Sequence, residues 1–326
     1  MNSPSLSDYA DLHRQVSADI DAEIAAALEG LGPSSGAVRK ALSGLLGHQQ
    51  MKYPLSVLPM LVHAAETGAP GPAVPLAAVH VLWWTSACYL DDLADGNGAR
   101  IPDGLGVDEA LLASVLSGQA LPIRIVQAQP VPDAVRNALT GEIVDCWFGA
   151  VEGQLRDLRG DPANASRDAI GVVYRQKSGA PFGMITAMAA ILSGTGAERT
   201  GLWREFGEVF GILWQLFNDQ EDILSGRDED LHNGTVTHLL ACATEETPPE
   251  SRAHLVELGA AARSSEQARA ELRALLLAPA VLRRFEKDLS AFRDDAYRVL
   301  GELGGDEAYL PALRKLVDQA AGMHLT

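Results

Sequence analysis

Hydrophobic residues recur along almost the whole chain at spacings of three and four, which is the period of a helix with one buried face. The segment from Leu202 to Phe217 carries one such apolar stripe. Alternation of apolar and polar residues, which is typical of strands, is nearly absent. Clusters of glycine and proline interrupt the periodic segments and predict about ten to thirteen helices. We therefore predict an all-α fold in which long helices pack around a centre.

The domain organisation is predicted to be simple. No repeat of fixed period, no low-complexity tract and no long linker divides the sequence. We therefore expect one domain over residues 1–326, with a flexible N-terminus at residues 1–15. The first residues lack the basic-then-apolar build of a signal peptide, and no run approaches the roughly 18 apolar residues that a membrane span needs. We expect a cytoplasmic protein without a membrane span.

Composition narrows the choice of partners. The chain has 26 Lys and Arg against 43 Asp and Glu, a formal net charge of −17, so a nucleic acid or an anionic membrane surface would repel it. Cys88, Cys146 and Cys242 are far apart and lack the paired spacing of disulfide-rich or zinc-binding domains. We expect no nucleic-acid partner, no disulfide framework and no structural zinc.

The first aspartate-rich segment follows an apolar helical pattern that begins at His80 and ends in the sequence D-D-x-x-D at residues 91–95. On a helix, Asp91 and Asp95 lie one turn apart on one face, whereas Asp92 is rotated by about 100°. Two carboxylates at this spacing repel each other unless a cation or a donor lies between them. The segment fits a hard divalent cation with oxygen ligands, although a solvated acidic helix end explains it equally well on its own.

The second aspartate-rich segment repeats this design, because an apolar run through Trp214 leads into Asn218, Asp219 and Asp222. Asn218 and Asp222 share a helix face, and Asp219 lies beside them. The repetition favours a common function over two unrelated solvated helix ends. We predict that two acidic rims face each other around an apolar shaft and hold several metal ions that grip a diphosphate.

Five motifs in a shared order give the chain a resemblance to the trans-isoprenyl diphosphate synthases, a group of class I isoprenoid synthases, over roughly residues 35–245. They are two aspartate-rich motifs, a GQxxD helix, a K-[TS]-G segment and a D-L-x-x-G-K-x-T stretch, which match residues 91–95, 215–222, 153–157, 174–179 and 230–237. Asn218 stands where the second motif usually has Asp, and Thr235 stands where the last stretch has lysine. The resemblance implies the isoprenoid synthase fold, with helices around a central apolar cavity.

The resemblance also implies a reaction, the Mg²⁺-dependent ionisation of an allylic isoprenyl diphosphate with release of diphosphate. Three Mg²⁺ ions are expected, held by Asp91, Asp92, Asp95, Asn218, Asp219 and Asp222. The residues among these that are expected to be catalytic are Asp91, Asp95, Asn218 and Asp222. The residues expected to bind the diphosphate are Arg100, Lys177, Gln215 and Arg227. Because the family usually forms homodimers, a homodimer is expected.

Large side chains on the two motif helices are candidates for the wall of the hydrocarbon pocket, since aromatic faces stabilise a carbocation. They are Trp83, Trp84, Trp214 and Phe217. A plain core position is the simpler explanation for each of them. Ser86 and Ala87, five and four residues before Asp91, either leave room for a C15 or C20 tail or only allow close helix packing.

The sequence departs from the resemblance where chain-elongating members bind isopentenyl diphosphate. Four basic positions of the family are replaced here by Gln50, Met51, Tyr53 and Ile101, and Trp84 replaces a histidine. Each charge-assisted contact to a diphosphate contributes roughly 1.5–3 kcal/mol, so losing four weakens binding by about 10⁴-fold or more. This favours a terpene cyclase that acts on a C15 or C20 allylic diphosphate. The alternatives are a prenyltransferase, which elongates with isopentenyl diphosphate or uses a non-isoprenoid acceptor, and a non-catalytic partner subunit.

Overall fold

The computed structural model describes residues 9–48, 55–94, 104–162 and 165–325, and within these ranges the chain is helical with no strand. The all-α prediction is therefore confirmed. The helices are α1 (Tyr9–Glu29), α2 (Gly36–His48), α3 (Leu58–Thr67), α4 (Val74–Ala94), α5 (Val107–Val115), α6 (Leu121–Ala128), α7 (Asp133–Leu158), α8 (Arg167–Tyr174), α9 (Ala180–Leu192), α10 (Ala197–Ser225), α11 (Glu229–Asn233), α12 (His238–Glu246), α13 (Arg252–Ala262), α14 (Glu266–Leu276), α15 (Pro279–Leu303) and α16 (Leu310–Ala320).

Two pairs of helices are continuous through a π-helical turn. The turn Leu116–Ala120 joins α5 to α6, and the turn Arg175–Gly179 joins α8 to α9. A proline, Pro122 or Pro181, follows each turn two residues later and cannot donate a backbone hydrogen bond. The wider turn absorbs the missing donor without ending the helix. With each pair counted once, the described residues contain 14 helices, which is one more than the upper end of the predicted range of about ten to thirteen.

The first of two compact units comprises Met1–Trp147, Gly183–Glu205 and Glu302–Leu316. Its central element is α4, which is apolar nearly all round and packs against α1, α2, α3, α5 and α6. The carbonyl oxygen of Gly118, which lies four residues before Pro122 and so lacks its helical donor, accepts a hydrogen bond from Trp147 Nε1 at 2.9 Å. A buried polar group is thereby satisfied where the proline leaves a gap.

The second unit comprises Phe148–Phe182, Phe206–Gly301 and Val317–Thr326. In it α8 packs on α12, α11 on α13, and α12 and α13 on α14. Arg167, at the start of α8, donates to Glu245 Oε2 at 2.7 Å and to both carboxylate oxygens of Asp288 at 2.8 Å. These bonds tie α8 to α12 and α15. The prediction of one domain over residues 1–326 stays a prediction. So does the flexible N-terminus, although α1 begins at Tyr9 within it.

Two helical stretches, Gly71–Ala94 and Val107–Ala128, are long and apolar enough to cross a membrane by length and composition. The most apolar part of the first is 61% buried inside the protein, and that of the second is 50% buried. Because buried core helices of soluble proteins meet the same criterion, these stretches are weak evidence for a membrane span.

Candidate active site

The first aspartate-rich segment ends α4 in the first unit. Asp91 is half-buried there and Asp92 is exposed. Asp95 and Arg100 lie outside the described residues, and their roles stay predictions. The predicted metal-binding role of Asp91 and Asp92 stays a prediction, as does the predicted approach of the two aspartate-rich segments.

The predicted pocket-wall residues of α4 pack among neighbours within the first unit. Trp83 is buried, with ring centroids 5.4 Å from Trp147 and 6.5 Å from Trp84. Ser86 is fully buried, and its Oγ lies 2.5 Å from the position that a Cβ on Gly118 would occupy. The close-packing explanation for Ser86 therefore has direct support. The pocket-wall role of these residues, and that of the half-buried Ala87, stays a prediction.

The second aspartate-rich segment lies on α10 in the second unit. Its aromatic residues form a buried row, in which Trp214 stacks on Phe217 with ring centroids 5.1 Å apart and lies 6.2 Å from Phe210. Asn218 is half-buried on the following turn. Packing with one another accounts for the burial of Trp214 and Phe217, and a wall role for them stays a prediction.

Asp219 is held by two donors in the protein interior. The residue is 3% exposed, and its carboxylate accepts hydrogen bonds from Gln215 Nε2 at 3.0 Å and from the Tyr174 hydroxyl at 2.5 Å. Burial raises the pKa of Asp219 to about 6, although the two hydrogen bonds favour the charged form. The group is therefore a fixed carboxyl whose charge is not fully compensated by its neighbours.

Lys177 lies in the π-helical turn Arg175–Gly179, and two glycines on other helices let this turn approach closely. A Cβ on Gly153 of α7 would lie 2.5 Å from the backbone nitrogen of Lys177, and a Cβ on Gly211 of α10 would overlap the carbonyl oxygen of Ser178. Lys177 Nζ donates to Asp157 Oδ2 at 2.7 Å. Glycines at these two positions therefore allow the lysine to lie among the acidic groups.

The same turn reaches the second aspartate-rich segment through Ser178. Its Oγ donates to Gln215 Oε1 at 2.6 Å, and the amide nitrogen of Gln215 donates in turn to Asp219. The predicted diphosphate-binding residue Gln215 is thus bonded to Ser178, the residue that follows Lys177 in the same turn. The contact of Lys177 and Gln215 with a diphosphate stays a prediction.

Asp222 anchors the segment that follows α10. The residue is 4% exposed, and its carboxylate accepts hydrogen bonds from the backbone N–H groups of Glu229 at 3.0 Å and Asp230 at 3.2 Å. Arg227 Nε lies 3.8 Å from Asp222 Oδ1. Burial and the nearby charges of Asp219 and Asp222 raise the pKa of Asp230 well above its ordinary value, and Lys177 opposes this shift. The short helix α11 is therefore tied to the predicted metal-binding residue Asp222.

These residues form a carboxylate cluster, defined as Asp157, Asp219, Asp222 and Asp230, with Lys177 and Arg227 beside it. Burial is the main cause of the raised pKa values of Asp219 and Asp230, and the neighbouring carboxylates add to it. Mg²⁺ and Ca²⁺ prefer oxygen ligands such as carboxylates, and here four carboxylates lie beside two basic side chains. The residues present therefore fit a hard divalent cation.

Sequence reasoning missed several of these residues. Tyr174, Ser178, Asp157 and Asp230 all lie in the quoted motifs but were given no individual role. Asp157 and Asp230 could have been found from the motif letters, since each is the acidic residue of its motif. Tyr174 could not, because an aromatic residue in an apolar stripe predicts core packing.

A further group of possible ligands, His238, Cys242 and Asp288, lies within 4.8 Å. His238 Nε2 is 2.9 Å from Asp288 Oδ2, and Arg167 already bonds both oxygens of Asp288. Burial raises the pKa of the Cys242 thiol to about 12, so it stays protonated. This group is better explained as an ion-paired network than as a metal site.

Comparison with known proteins identifies the family to which the chain belongs. The sequence matches the polyprenyl synthetase family over residues 104–276, which is more than half of the chain. It is 24% identical over 216 residues to a short chain isoprenyl diphosphate synthase from Methanothermobacter thermautotrophicus. That alignment covers 62% of this chain and 65% of the relative, so the chain spans slightly less than two thirds of the relative's length.

Solved structures share the fold. A geranylgeranyl pyrophosphate synthetase from Pyrococcus horikoshii matches with a TM-score of 0.80 at 19% identity, covering 97% of this chain and 99% of that chain. A polyprenyl synthase from Caulobacter crescentus, solved with calcium and isoprenyl diphosphate, matches with a TM-score of 0.78 at 20% identity, covering 98% and 99%. The resemblance to the trans-isoprenyl diphosphate synthases is thereby confirmed, and the chain belongs to the polyprenyl synthetase family.

Proposed function

We propose that the protein is a Mg²⁺-dependent prenyltransferase that ionises an allylic isoprenyl diphosphate and passes the prenyl group to an acceptor. The observation that carries the proposal is the carboxylate cluster with Lys177 beside it, because it combines oxygen ligands for a divalent cation with a fixed positive charge. All of these residues lie within the matched family region.

The residues of the second unit have separate tasks in this proposal. Divalent metal ions supply Lewis-acid stabilisation of the diphosphate leaving group when they are bound. Asn218, Asp219 and Asp222 supply oxygen ligands, and the hydrogen bonds to Asp219 fix its carboxylate in advance. Lys177 and Arg227 place positive charge where the leaving group becomes more negative, and Gln215 contributes hydrogen bonds. Three ions and a C15 or C20 substrate remain parts of the proposal.

Prenyl transfer is placed before cyclisation because of the relatives. The Methanothermobacter protein is a short chain isoprenyl diphosphate synthase, and the solved neighbours are geranylgeranyl or polyprenyl synthases. The relatives therefore favour prenyl transfer, although the replaced basic residues favour terpene cyclisation. Terpene cyclisation is kept as the second candidate on one observation, the replacement of four basic residues by Gln50, Met51, Tyr53 and Ile101, which lie outside the described residues.

Product analysis separates these functions. Purified protein with Mg²⁺ is incubated with C10, C15 and C20 allylic diphosphates, each with and without isopentenyl diphosphate. Longer prenyl diphosphates, formed only when isopentenyl diphosphate is present, support elongation. Hydrocarbons or alcohols formed without it support the cyclase. Absence of turnover with every substrate contradicts both and supports the partner-subunit alternative. Asp91→Ala is expected to abolish turnover under either enzymatic function.

A homodimer is part of the proposal, and an exposed apolar face supports it. Phe148, Val151, Leu155 and Leu158 follow one another on α7 at spacings of three and four, and Phe148 is 75% exposed. Contiguous exposed apolar side chains mark surfaces that bind another protein, and a second copy of the chain is the partner we propose. The protein is taken to be soluble, and its cytoplasmic location stays a prediction.

A further inference from the structure

Tyr174 is the last residue of α8 and lies directly before the π-helical turn that carries Lys177. Its side chain is buried, with 4% of the residue exposed. Its hydroxyl lies 2.5 Å from Asp219 Oδ2 and 3.0 Å from the backbone nitrogen of His238, the first residue of α12. One hydroxyl group therefore joins α8, α10 and α12.

The direction of these two hydrogen bonds follows from the chemistry of the partners. The backbone N–H of His238 can only donate, so the hydroxyl oxygen of Tyr174 accepts that bond. The single hydroxyl hydrogen is then available for Asp219, whose charged carboxylate can only accept. Tyr174 is therefore a committed donor to Asp219 Oδ2, and it cannot turn towards another acceptor without leaving the N–H of His238 unsatisfied.

The other oxygen of Asp219 is held just as firmly. Gln215 Nε2 donates to Asp219 Oδ1, and the amide of Gln215 is oriented by the hydroxyl of Ser178, which donates to Gln215 Oε1. Two donors on different helices thus define the plane of the carboxylate. The lone pairs that remain on its oxygens point in fixed directions, which is what a carboxylate needs in order to bind a metal ion without reorganisation.

We propose that Tyr174 is a positioning residue, which orients the Asp219 carboxylate for metal binding by donating a hydrogen bond to Oδ2 and accepting one from the backbone of His238. This rests on the proposed function, since it assigns a task within the same metal-binding site. Phenylalanine would fill the same space in the core, so the hydroxyl rather than the ring is the group that acts on Asp219.

The second unit contains a matched pair for comparison. The hydroxyl of Tyr297 also donates to an aspartate, Asp318 Oδ1 at 2.9 Å, but that bond is exposed and joins α15 to α16. Tyr297→Phe, like Tyr174→Phe, therefore removes a tyrosine hydroxyl that donates to an aspartate, but at a position outside the carboxylate cluster. It is the control for Tyr174→Phe.

The test measures metal binding directly, with Mn²⁺ in place of Mg²⁺ and inorganic diphosphate as the ligand. Electron paramagnetic resonance reports free Mn²⁺ during titration of the full-length protein. Tyr174→Phe should weaken Mn²⁺ binding about tenfold, since loss of a partner that orients a metal ligand typically weakens binding by about 10- to 100-fold. Tyr297→Phe should bind Mn²⁺ as the wild type does. In turnover assays, Tyr174→Phe should raise the half-saturating Mg²⁺ concentration by a similar factor, with kcat near that of the wild type at saturating Mg²⁺.

The outcomes separate this role from the proposed function. Equal Mn²⁺ binding by Tyr174→Phe and the wild type contradicts the positioning role alone. A wild-type protein that binds no Mn²⁺ with diphosphate contradicts the proposed function and the positioning role with it. If Tyr174→Phe melts below the assay temperature, the titration is run at 10 °C, after circular dichroism has shown that the variant is folded. Weaker Mn²⁺ binding by the folded Tyr174→Phe variant than by Tyr297→Phe supports the role, and equal binding contradicts it.

Discussion

Replacing Asp219 with Asn should stabilise the metal-free protein, and the gain should depend on pH. In the folded protein, burial raises the pKa of Asp219 from 3.8 to about 6. In the unfolded chain the group returns to its ordinary value. Because of this difference in pKa, charging the buried group lowers the unfolding free energy of the wild type by about 3 kcal/mol. Because the amide keeps only one acceptor oxygen for Tyr174 and Gln215, we expect a net gain of about 2–3 kcal/mol.

The pH window follows from the two pKa values of Asp219. Below about pH 4 the carboxyl is protonated in both states, so Asp219→Asn changes the free energy of unfolding little. As the pH rises from about 4 to about 6, the unfolded chain releases its proton before the folded protein does, and the wild type loses stability relative to the variant. Above about pH 6 the full difference is present.

Urea unfolding in the presence of a chelator measures this difference at pH 4.5 and pH 8. Asp318→Asn is the control, because Asp318 is exposed and also accepts a tyrosine hydroxyl, so its replacement should change stability by less than about 0.5 kcal/mol. With Mg²⁺ and diphosphate added, the order should reverse in favour of the wild type. If Asp219→Asn is no more stable than the wild type at pH 8, burial does not raise the pKa of Asp219, and the argument that the buried carboxylate favours a bound cation fails.

Four further variants test separate parts of the account. Gly211→Ala should displace the turn that carries Lys177 and lower turnover at least tenfold, with a loss of about 1–3 kcal/mol in unfolding free energy, whereas Gly201→Ala on the same helix meets open space and should leave both unchanged or slightly improved. Lys177→Gln should raise the KM for the allylic diphosphate by about 10- to 100-fold in steady-state assays, and an unchanged KM would remove Lys177 from the site. Arg167→Ala should cost about 1–3 kcal/mol at pH 7 in urea unfolding. That difference should shrink below about pH 4, because hydrogen bonds lower the pKa of Asp288 in the folded protein although burial opposes them, and a constant difference would contradict this. Phe148→Asp should convert a dimer to a monomer in analytical ultracentrifugation, and a dimer that persists would place the interface elsewhere.

The helices were predictable because their apolar period of three to four is a local property of the chain. The apolar stripe corresponds to buried positions on α10 from Trp203 to Phe217, and Leu202 at its start is half-buried. The π-helical turns were not predictable from that period, since a turn with a bond from residue i to i−5 interrupts it by a single residue. Pro122 and Pro181 mark where these turns occur, but a proline alone predicts only a break or a kink.

In the site, sequence reasoning was strongest for residues whose chemistry is rare in an apolar segment. Asp219 and Asp222 stood out for that reason, whereas Lys177 was predicted from the resemblance of residues 174–179 to the K-[TS]-G segment. The structure places Lys177 beside the carboxylate cluster that contains these two aspartates. The contact between Tyr174 and Asp219 joins residues 45 positions apart, so it depends on how α8 packs against α10. No local pattern carries that information.

The choice between a terpene cyclase and a prenyltransferase could not be predicted from the replaced residues alone. It was argued from Gln50, Met51, Tyr53 and Ile101, which lie outside the described residues, and from Trp84, which replaces a histidine of the family. Replacement of basic side chains argues against one binding mode for isopentenyl diphosphate, but it leaves open whether other side chains take over. The relatives therefore count for more than the replaced basic residues, and prenyl transfer is proposed ahead of terpene cyclisation.

A crystal structure of the protein with Mg²⁺ and an allylic thiolodiphosphate, whose C–S bond resists ionisation, tests the central claim most directly. The account predicts metal ions with oxygen ligands from Asp219 or Asp222 at about 2.0–2.1 Å, and the diphosphate within hydrogen-bond distance of Lys177 Nζ. A diphosphate bound away from these residues, or Asp219 and Asp222 without a metal ion at saturating Mg²⁺, would contradict it.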